Sequence, residues 1–421
     1  MQGKLHKMFG IDASKMQLYR AKKRCRDEME GNHGSQYVLL PTYAAKIKKT
    51  NPGSFVKINY DNPPKPISED EPTPDEESII SSNPVLRSIF ISFEAMQIGF
   101  VNGCRPFIGV DGCHLKGPYD GLLISVVGLD GNNGLFPLAV GVVECECKAS
   151  LTFFLQHLRT IPSDALPTRP WTIMFDGQKG LDTIVTEILP EASHRRYCMN
   201  LFNNFRDKFP GMILRKNFWK AARAWNQRAY DEAMQAIQGI SKEAYEWLQK
   251  VPVEARSRHA FDSRIRNDHI TNNMTKSFNN WLGISRSKLI LTMLETIRCK
   301  LMGKFQMRYQ KALQWQSNIT LNIKKKLDKT FYESRKCKVK YVGEQEYDIR
   351  DNEGVRHIVH IGRMSCSCRE WEISGIPCTH AMVAISYNGM NVENFVHPYY
   401  LKKNICWPMV GLYIQYQTTL C

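Results

Sequence analysis

The chain has 421 residues, with 57 Lys and Arg against 41 Asp and Glu, for a formal charge of +16 at pH 7. That length and a 43% hydrophobic content suffice for two or three domains with real cores, which excludes a disordered chain. No stretch approaches the roughly 20 apolar residues of a membrane span, and "MQGKLHKMFGIDASK" at the N-terminus lacks the apolar core of a signal peptide, so an intracellular protein with a polyanionic partner is expected.

Residues 1–60 read as mostly helical. Within them "AKKRCR", Ala21 to Arg26, is a basic run that fits a solvated helix face as well as a binding surface or a weak nuclear-import signal. A second basic span runs from Arg298 through "KKKLDK" to Lys340. Residues 61–84 open with "DNPPKPISEDEPTPDEE", where prolines and acids crowd out apolar residues, and read as a linker or exposed loop. Strand signals start near Arg105. "PFIGV" leads into Asp111, "LLISVVGL" into the turn "DGNNG", and "LFPLAVGVV" follows, a three-stranded antiparallel meander. Helical "LTFFLQHL", β-rich "WTIMF" ending at Asp176, helical "LDTIVTEIL", a short "HRRYC" and the helix around "NLFNNFRDKF" complete the order βββαβαβα. Right-handed crossovers then give an α/β fold, a mixed sheet covered by helices. Residues 211–265 lack strand alternation and read as an all-helical insertion within a domain of residues 85–335. From Lys336 to Tyr400 "CKVKYV", "EYDIR" and "RHIVHIG" form a small β unit that leads into a cysteine cluster, and 401–421 is a tail.

In this order the strands "PFIGV" and "WTIMF" lie side by side and parallel, with Asp111 and Asp176 at their carboxyl ends. Neighbouring strands are roughly 4.8 Å apart and paired divalent ions in phosphoryl-transfer sites roughly 3.5 to 4 Å apart, so such a pair can hold Mg²⁺ or Mn²⁺. An Asp-Gly step at a strand end is also a turn cap, and spacing alone favours that role.

The sequence around the pair adds information. "CRPFIGVDGCHLKGPYDGLLISVVGLDGNNGLFPLAVGVVE", then "FDGQKGL", "HRRYC", "ITNNMTKSFNNWL" and a terminal Cys/His cluster resemble, in that order, the plant Mutator-like (MuDR-type) transposases and the far-red-response regulators derived from them. The resemblance runs from about Met16 to Tyr400. It implies an RNase H-like domain in which Asp, Asp and Glu bind catalytic metals, with Asp111 and Asp176 matching the first two. The family's third motif resembles "NNMAESFN", whereas this chain reads "NNMTKSFN", which puts Lys276 at the glutamate position. An ammonium cannot coordinate Mg²⁺ and repels it. The chain is therefore expected not to transpose, with metal bound only if the aspartate pair is still competent. Local periodicity places Lys276 on the outer side of a helix whose buried face is Met274, Phe278, Trp281 and Leu282. Asp268 is a neighbouring acid that stands before that helix. Other departures are Leu201 where the family has a histidine three residues after Cys198, Leu151 in place of a tryptophan, and "FDGQKG" for "SDRQKG".

Thirteen cysteines in a reduced compartment suggest thiols or metal ligands rather than disulfides. "SCSCREWEISGIPCTHAMVAI" places Cys366 and Cys368 nine residues ahead of Cys378 and His380. Three thiolates and an imidazole make a closed tetrahedral Zn²⁺ site, structural because no position stays open for water. The pattern is similar to the SWIM zinc finger that ends Mutator-like transposases and is implied to bind DNA or protein. His357 and His360, three apart on a predicted strand, face opposite ways and are poor joint ligands. His397 and the remaining cysteines have no partner at metal spacing.

These readings predict a nuclear, transposase-derived, zinc-binding protein that binds DNA or regulates transcription without catalysis. The alternatives are an active DDE-type transposase with a substitute acid, a protein-interaction module or homodimer, and a fragment of a transposable element, since family members usually carry a further N-terminal DNA-binding region. No membrane or small-molecule substrate is implied.

Overall fold

The structure is a computed structural model that describes residues 6–7, 9–30, 33–61, 85–117, 121–161, 170–175, 181–271 and 273–406. Three helices, α1 (Lys15–Glu30), α2 (His33–Val38) and α3 (Leu40–Thr50), precede strand β1 (Phe55–Asp61). Strand β2 (Val85–Ser92), helix α4 (Glu94–Gly103) and the expected meander β3 (Cys104–His114), β4 (Leu122–Asp130) and β5 (Leu135–Val143) come next. Crossovers through α5 (Lys148–Arg159) and α6 (Leu181–Ile188) add β6 (Trp171–Phe175) and β7 (Ala192–Arg196).

The seven strands form one mixed sheet in the order β1-β2-β5-β4-β3-β6-β7. β6 runs parallel to β3, Gly109 opposite Met174, and β7 parallel to β6. All nine residues of β4 are buried, because a central strand covered on both faces needs an unbroken apolar run. On one face Phe154, Leu155 and Leu158 of α5 and Ile184 and Val185 of α6 pack against β3 to β6. On the other lie α3, α12 (Asn273–Leu282) and α13 (Ile290–Leu313), through Leu40, Ile47, Phe278, Leu282, Ile290 and Leu294.

Two strands correct the expectation that residues 1–60 are mostly helical and that strands start at Arg105. β1 and β2 pair antiparallel, and the register carries Asp61 opposite Val85. The acidic, proline-rich interval therefore closes a connection within one sheet rather than parting two domains; residues 62–84 themselves lie outside the described residues. β1 is hard to read because it is an edge strand and buries only Val56 fully.

After α7 (Cys198–Lys208) come the expected helices, α8 (Met212–Arg223), α9 (Gln227–Ile240), α10 (Lys242–Gln249) and α11 (Val253–Arg256), around Phe205, Phe218, Tyr230, Ile237 and Leu248. Asn226 and Ser241 cap α9 and α10 by accepting from Ala229 and Ala244 N–H, which satisfies donors that a helix start leaves open. Helix α14 (Leu321–Ser334) leads to the C-terminal unit, a four-stranded antiparallel sheet β11-β10-β9-β8 built from β8 (Lys338–Gly343), β9 (Glu346–Arg350), β10 (Arg356–His360) and β11 (Ser365–Cys366). Helices α15 (Glu370–Ser374) and α16 (Thr379–Tyr387) cover one face of it.

The two parts share a seam. Ile319, Ile323 and Leu327 pack on Ile376, Met382, Val396 and Tyr400. The buried Tyr400 hydroxyl donates toward Ser374 O at 2.6 Å and Arg266 O at 3.1 Å, and Arg105 of β3 approaches it at 3.4 Å. No described helix is long and apolar enough to cross a membrane.

Candidate functional site

Asp111 stands near the carboxyl end of β3, beside the C-terminal end of β6. The buried Tyr197 hydroxyl sits between these strands, 2.8 Å from Val110 O and 3.1 Å from Met174 O, so one phenol proton ties the two strand ends together. Asp176 follows β6 directly in sequence and lies outside the described residues.

Helix α12 crosses this edge closely. A Cβ at Gly109 would collide with Met274 and Thr275, so glycine is what lets the helix lie on the strand. Asn279 Nδ2 donates to Asp111 Oδ2 at 3.1 Å while its Oδ1 accepts from Ser125 Oγ at 3.3 Å. The helix buries Met274, Thr275, Phe278, Asn279 and Leu282, with Trp281 half-buried. Thr275 and Asn279 thus extend the face expected from apolar periodicity, and a periodicity argument misses them because they are polar. Lys276 is exposed, on the outer side, one turn before Asn279. Residues three apart on a helix have Cβ atoms about 5 to 6 Å apart, so position 276 borders the Asp111 contact without closing it.

Asp268 is engaged elsewhere. Its carboxylate faces Arg258 at 3.9 Å and His269 at 3.8 Å. Burial pushes this carboxyl up, but the charges of His269, Lys326, Arg258 and Arg105 outweigh it and hold it at about 2. The His269 ring lies 6.3 Å from that of Phe107. Phe107 is four residues before Asp111 on β3, or ~13 Å along an extended strand.

Cys366, Cys368, Cys378 and His380 come together with all four donor atoms within 4.8 Å of one another. His380 Nδ1 is 3.6 Å from Cys366 Sγ and 3.9 Å from Cys378 Sγ. A tetrahedral Zn²⁺ with Zn–S of about 2.3 Å and Zn–N of about 2.0 Å gives ligand separations of about 3.5 to 3.8 Å, so the donors fit that ion. Cys366 ends β11, and a turn closed by Arg369 N–H to Cys366 O at 2.8 Å brings Cys368 round; Arg369 is left-handed, φ 68°. Cys378 is the N-cap of α16, where its sulfur accepts from Ala381 N–H at 3.4 Å. Burial, then the neighbouring Cys366 and Cys368, push the Cys378 thiol well up, a cost that a divalent cation removes by holding the thiolate.

One residue of this centre was not foreseen. His357 is a poor partner for His360, as its strand position implies. Its ring nevertheless stacks on His380, centroids 3.7 Å apart and planes 21° apart, and its Nε2 faces Asp351 Oδ2 at 3.4 Å. Asp351, His357 and His380 also bring one donor atom each within 4.8 Å of one another, a second grouping that shares His380 with the Cys/His cluster. His397, also read as structural, is the N-cap of a short 3-10 turn, Pro398–Tyr400, at the seam.

Two family models match this chain, the MULE transposase domain over residues 107–204 and the SWIM zinc finger over residues 357–389. The chain carries a MULE transposase domain and, after it, a SWIM zinc finger. The pair is consistent with a Mutator-like transposase family member, and it supports a transposase-derived zinc-binding protein. No curated protein matches the chain in sequence. The MULE match takes in β3 to the first turns of α7, hence Asp111, Asp176 and Tyr197, and stops before the helix of Lys276 and Asn279. The SWIM match begins at His357 and contains all four candidate ligands.

Proposed function

We propose that this protein is a transposase-derived, DNA-binding and regulatory factor of the plant MuDR-type, RNase H-like class, nuclear and without strand-transfer activity. The single observation that carries the silent reading is the occupancy of the Asp111 edge. The helix that borders it contributes a neutral amide, Asn279, to Asp111 and an outward ammonium, Lys276, one turn away. A two-metal phosphoryl-transfer centre needs carboxylates that offset about four positive charges. Asp111 and Asp176 provide two negative charges, the exposed Lys276 adds none, and Asp268 is tied to Arg258.

DNA is the partner favoured by the charge of +16, since cation excess draws polyanions through counterion release. Zinc has a structural part in this reading. Cys366, Cys368, Cys378 and His380 would hold it and leave no site for water, so it fixes a small β unit and activates nothing.

The test uses the purified full chain with Mg²⁺ or Mn²⁺ on duplexes bearing terminal repeats. Wild type is expected to bind the duplex and leave it uncut. Nicking by wild type, abolished by Asp111→Asn, overturns the silent reading. Lys276→Glu then asks whether the third acid alone restores metal binding.

A further inference from the structure

Among the described residues one face of the SWIM unit is uncovered, and its strand register lines up like charges. In the antiparallel sheet Lys338 of β8 stands opposite Arg350 of β9, and Arg350 stands opposite Arg356 of β10. Three cations thus form one row across three strands. The next row outward-facing on the same side is Lys340, Asp348 and Ile358. The intervening residues Val339, Ile349, Tyr347 and Val359 pack inward on the core around Cys366, Cys368 and Cys378, so alternation along each strand puts both rows on the other side. Lys338, Lys340, Arg350, Arg356 and Ile358 are all exposed there.

Like charges directly opposite one another destabilise a sheet. Asp348 is the one acid in these two rows; it pairs with Arg356, Nε 3.1 Å from Oδ2, and its single charge is shared with Arg350 and Lys340. Arg350 is left between two other cations. A sheet that keeps such a row lowers its energy when a polyanion lies across it. Strands about 4.8 Å apart make the row about 10 Å wide, a span that reaches more than one phosphate of a DNA strand, each of which advances about 3.4 Å along the helix axis.

We infer that this face of the SWIM unit is a docking surface for the phosphate backbone of duplex DNA. Duplex rather than single-stranded nucleic acid is indicated by the absence of Phe, Tyr and Trp from the two rows, since single strands are held by bases stacking on aromatic rings; Tyr347 points inward and packs with Tyr341 at 5.3 Å. The inference deepens the DNA-binding part of the proposed function and rests on it. It also assigns the zinc a task, holding the lattice on which the row is mounted.

The experiment is fluorescence anisotropy of the full chain on a labelled random-sequence duplex and its single strand, over a salt series. Three variants are compared with wild type: Lys338→Gln/Arg350→Gln, the charge-matched control Lys216→Gln/Lys220→Gln on α8, outside both basic spans, and Arg350→Lys. Loss of two phosphate contacts is expected to weaken duplex binding about tenfold or more and to lower the log–log salt slope by about 2, at roughly 0.9 per contact. The control and Arg350→Lys are expected to bind within about twofold of wild type. Thermal unfolding of the double variant is expected at or above the wild-type temperature, because a repulsion has been removed. A double variant that binds duplex as the control does overturns this inference and leaves the proposed function standing. Tighter binding of the single strand overturns the duplex assignment. A wild-type chain that binds neither overturns this inference and the DNA-binding reading together.

Discussion

The two chemically equipped regions of this molecule are built in opposite ways. The zinc centre draws its four donors from fifteen consecutive residues, Cys366 to His380, and a short β unit supplies everything that orients them. The carboxylate edge needs β3, β6 and α12, so residues more than 160 apart must meet, as Asn279 and Asp111 do. A locally encoded site survives or is lost as a unit. A site assembled from distant segments can lose one member while the scaffold persists, and here position 276 carries an exposed lysine on a helix, α12, that docks on β3 and β4 through Gly109, Phe278 and Asn279.

That contrast is broken most severely by taking the metal away. Structural zinc contributes roughly 10 to 16 kcal/mol of apparent binding free energy, more than a small β unit can hold in reserve. Chelation or Cys378→Ser is expected to abolish hydrogen-exchange protection of residues 338–387 while β3 to β6 stay protected. Equal loss in both regions would show the two to be one cooperative unit. Asn279→Ala comes next. It removes the amide that Asp111 and the buried Ser125 share, a cost of about 1 to 3 kcal/mol, to be read from urea unfolding; an unchanged midpoint would mean the amide is incidental. A smaller effect is expected for His357→Ala, about a tenfold loss of zinc affinity by chelator competition, in the range usual for groups that orient a ligand. His357→Phe keeps the stack and is expected to recover most of it.

The subtlest prediction concerns the seam. Burial first, and then nearby arginines, depress His269 and His397 to about 4 from 6.5. Both stay neutral in the folded chain down to about pH 4, whereas the unfolded chain takes up protons below about 6.5. Stability is therefore fully present above that pH and falls as pH drops from about 6.5 toward 4. The unfolding temperature is expected to be flat from pH 7 to 8 and to decline below 6.5, and His269→Gln is expected to reduce that decline.

How far these features can be read in the chain follows the same division. The meander, the βα crossovers, the helical stretch and the Cys/His cluster are legible because each has a local period or spacing. β1 and β2 are not, since pairing across residues 62–84 depends on partners that no local pattern announces. Lys276 is legible only through resemblance, whereas its neighbour Asn279 looks like one amide among several until the sheet is in place. Tyr197, His357 and Tyr400 belong to the same class. Their roles are contacts made across 87, 23 and 134 residues, to Val110, His380 and Arg266.

Tyr400 bears on how the protein is made. Its hydroxyl reaches Ser374 and Arg266, and its backbone carbonyl accepts from Thr320. During synthesis the meander emerges long before residue 400, so the central sheet has time to form before the clasp to the C-terminal unit can close. A message that stops short of that tyrosine would yield two folded halves with an open, apolar joint around Ile319, Ile376 and Met382, a surface that quality-control machinery recognises.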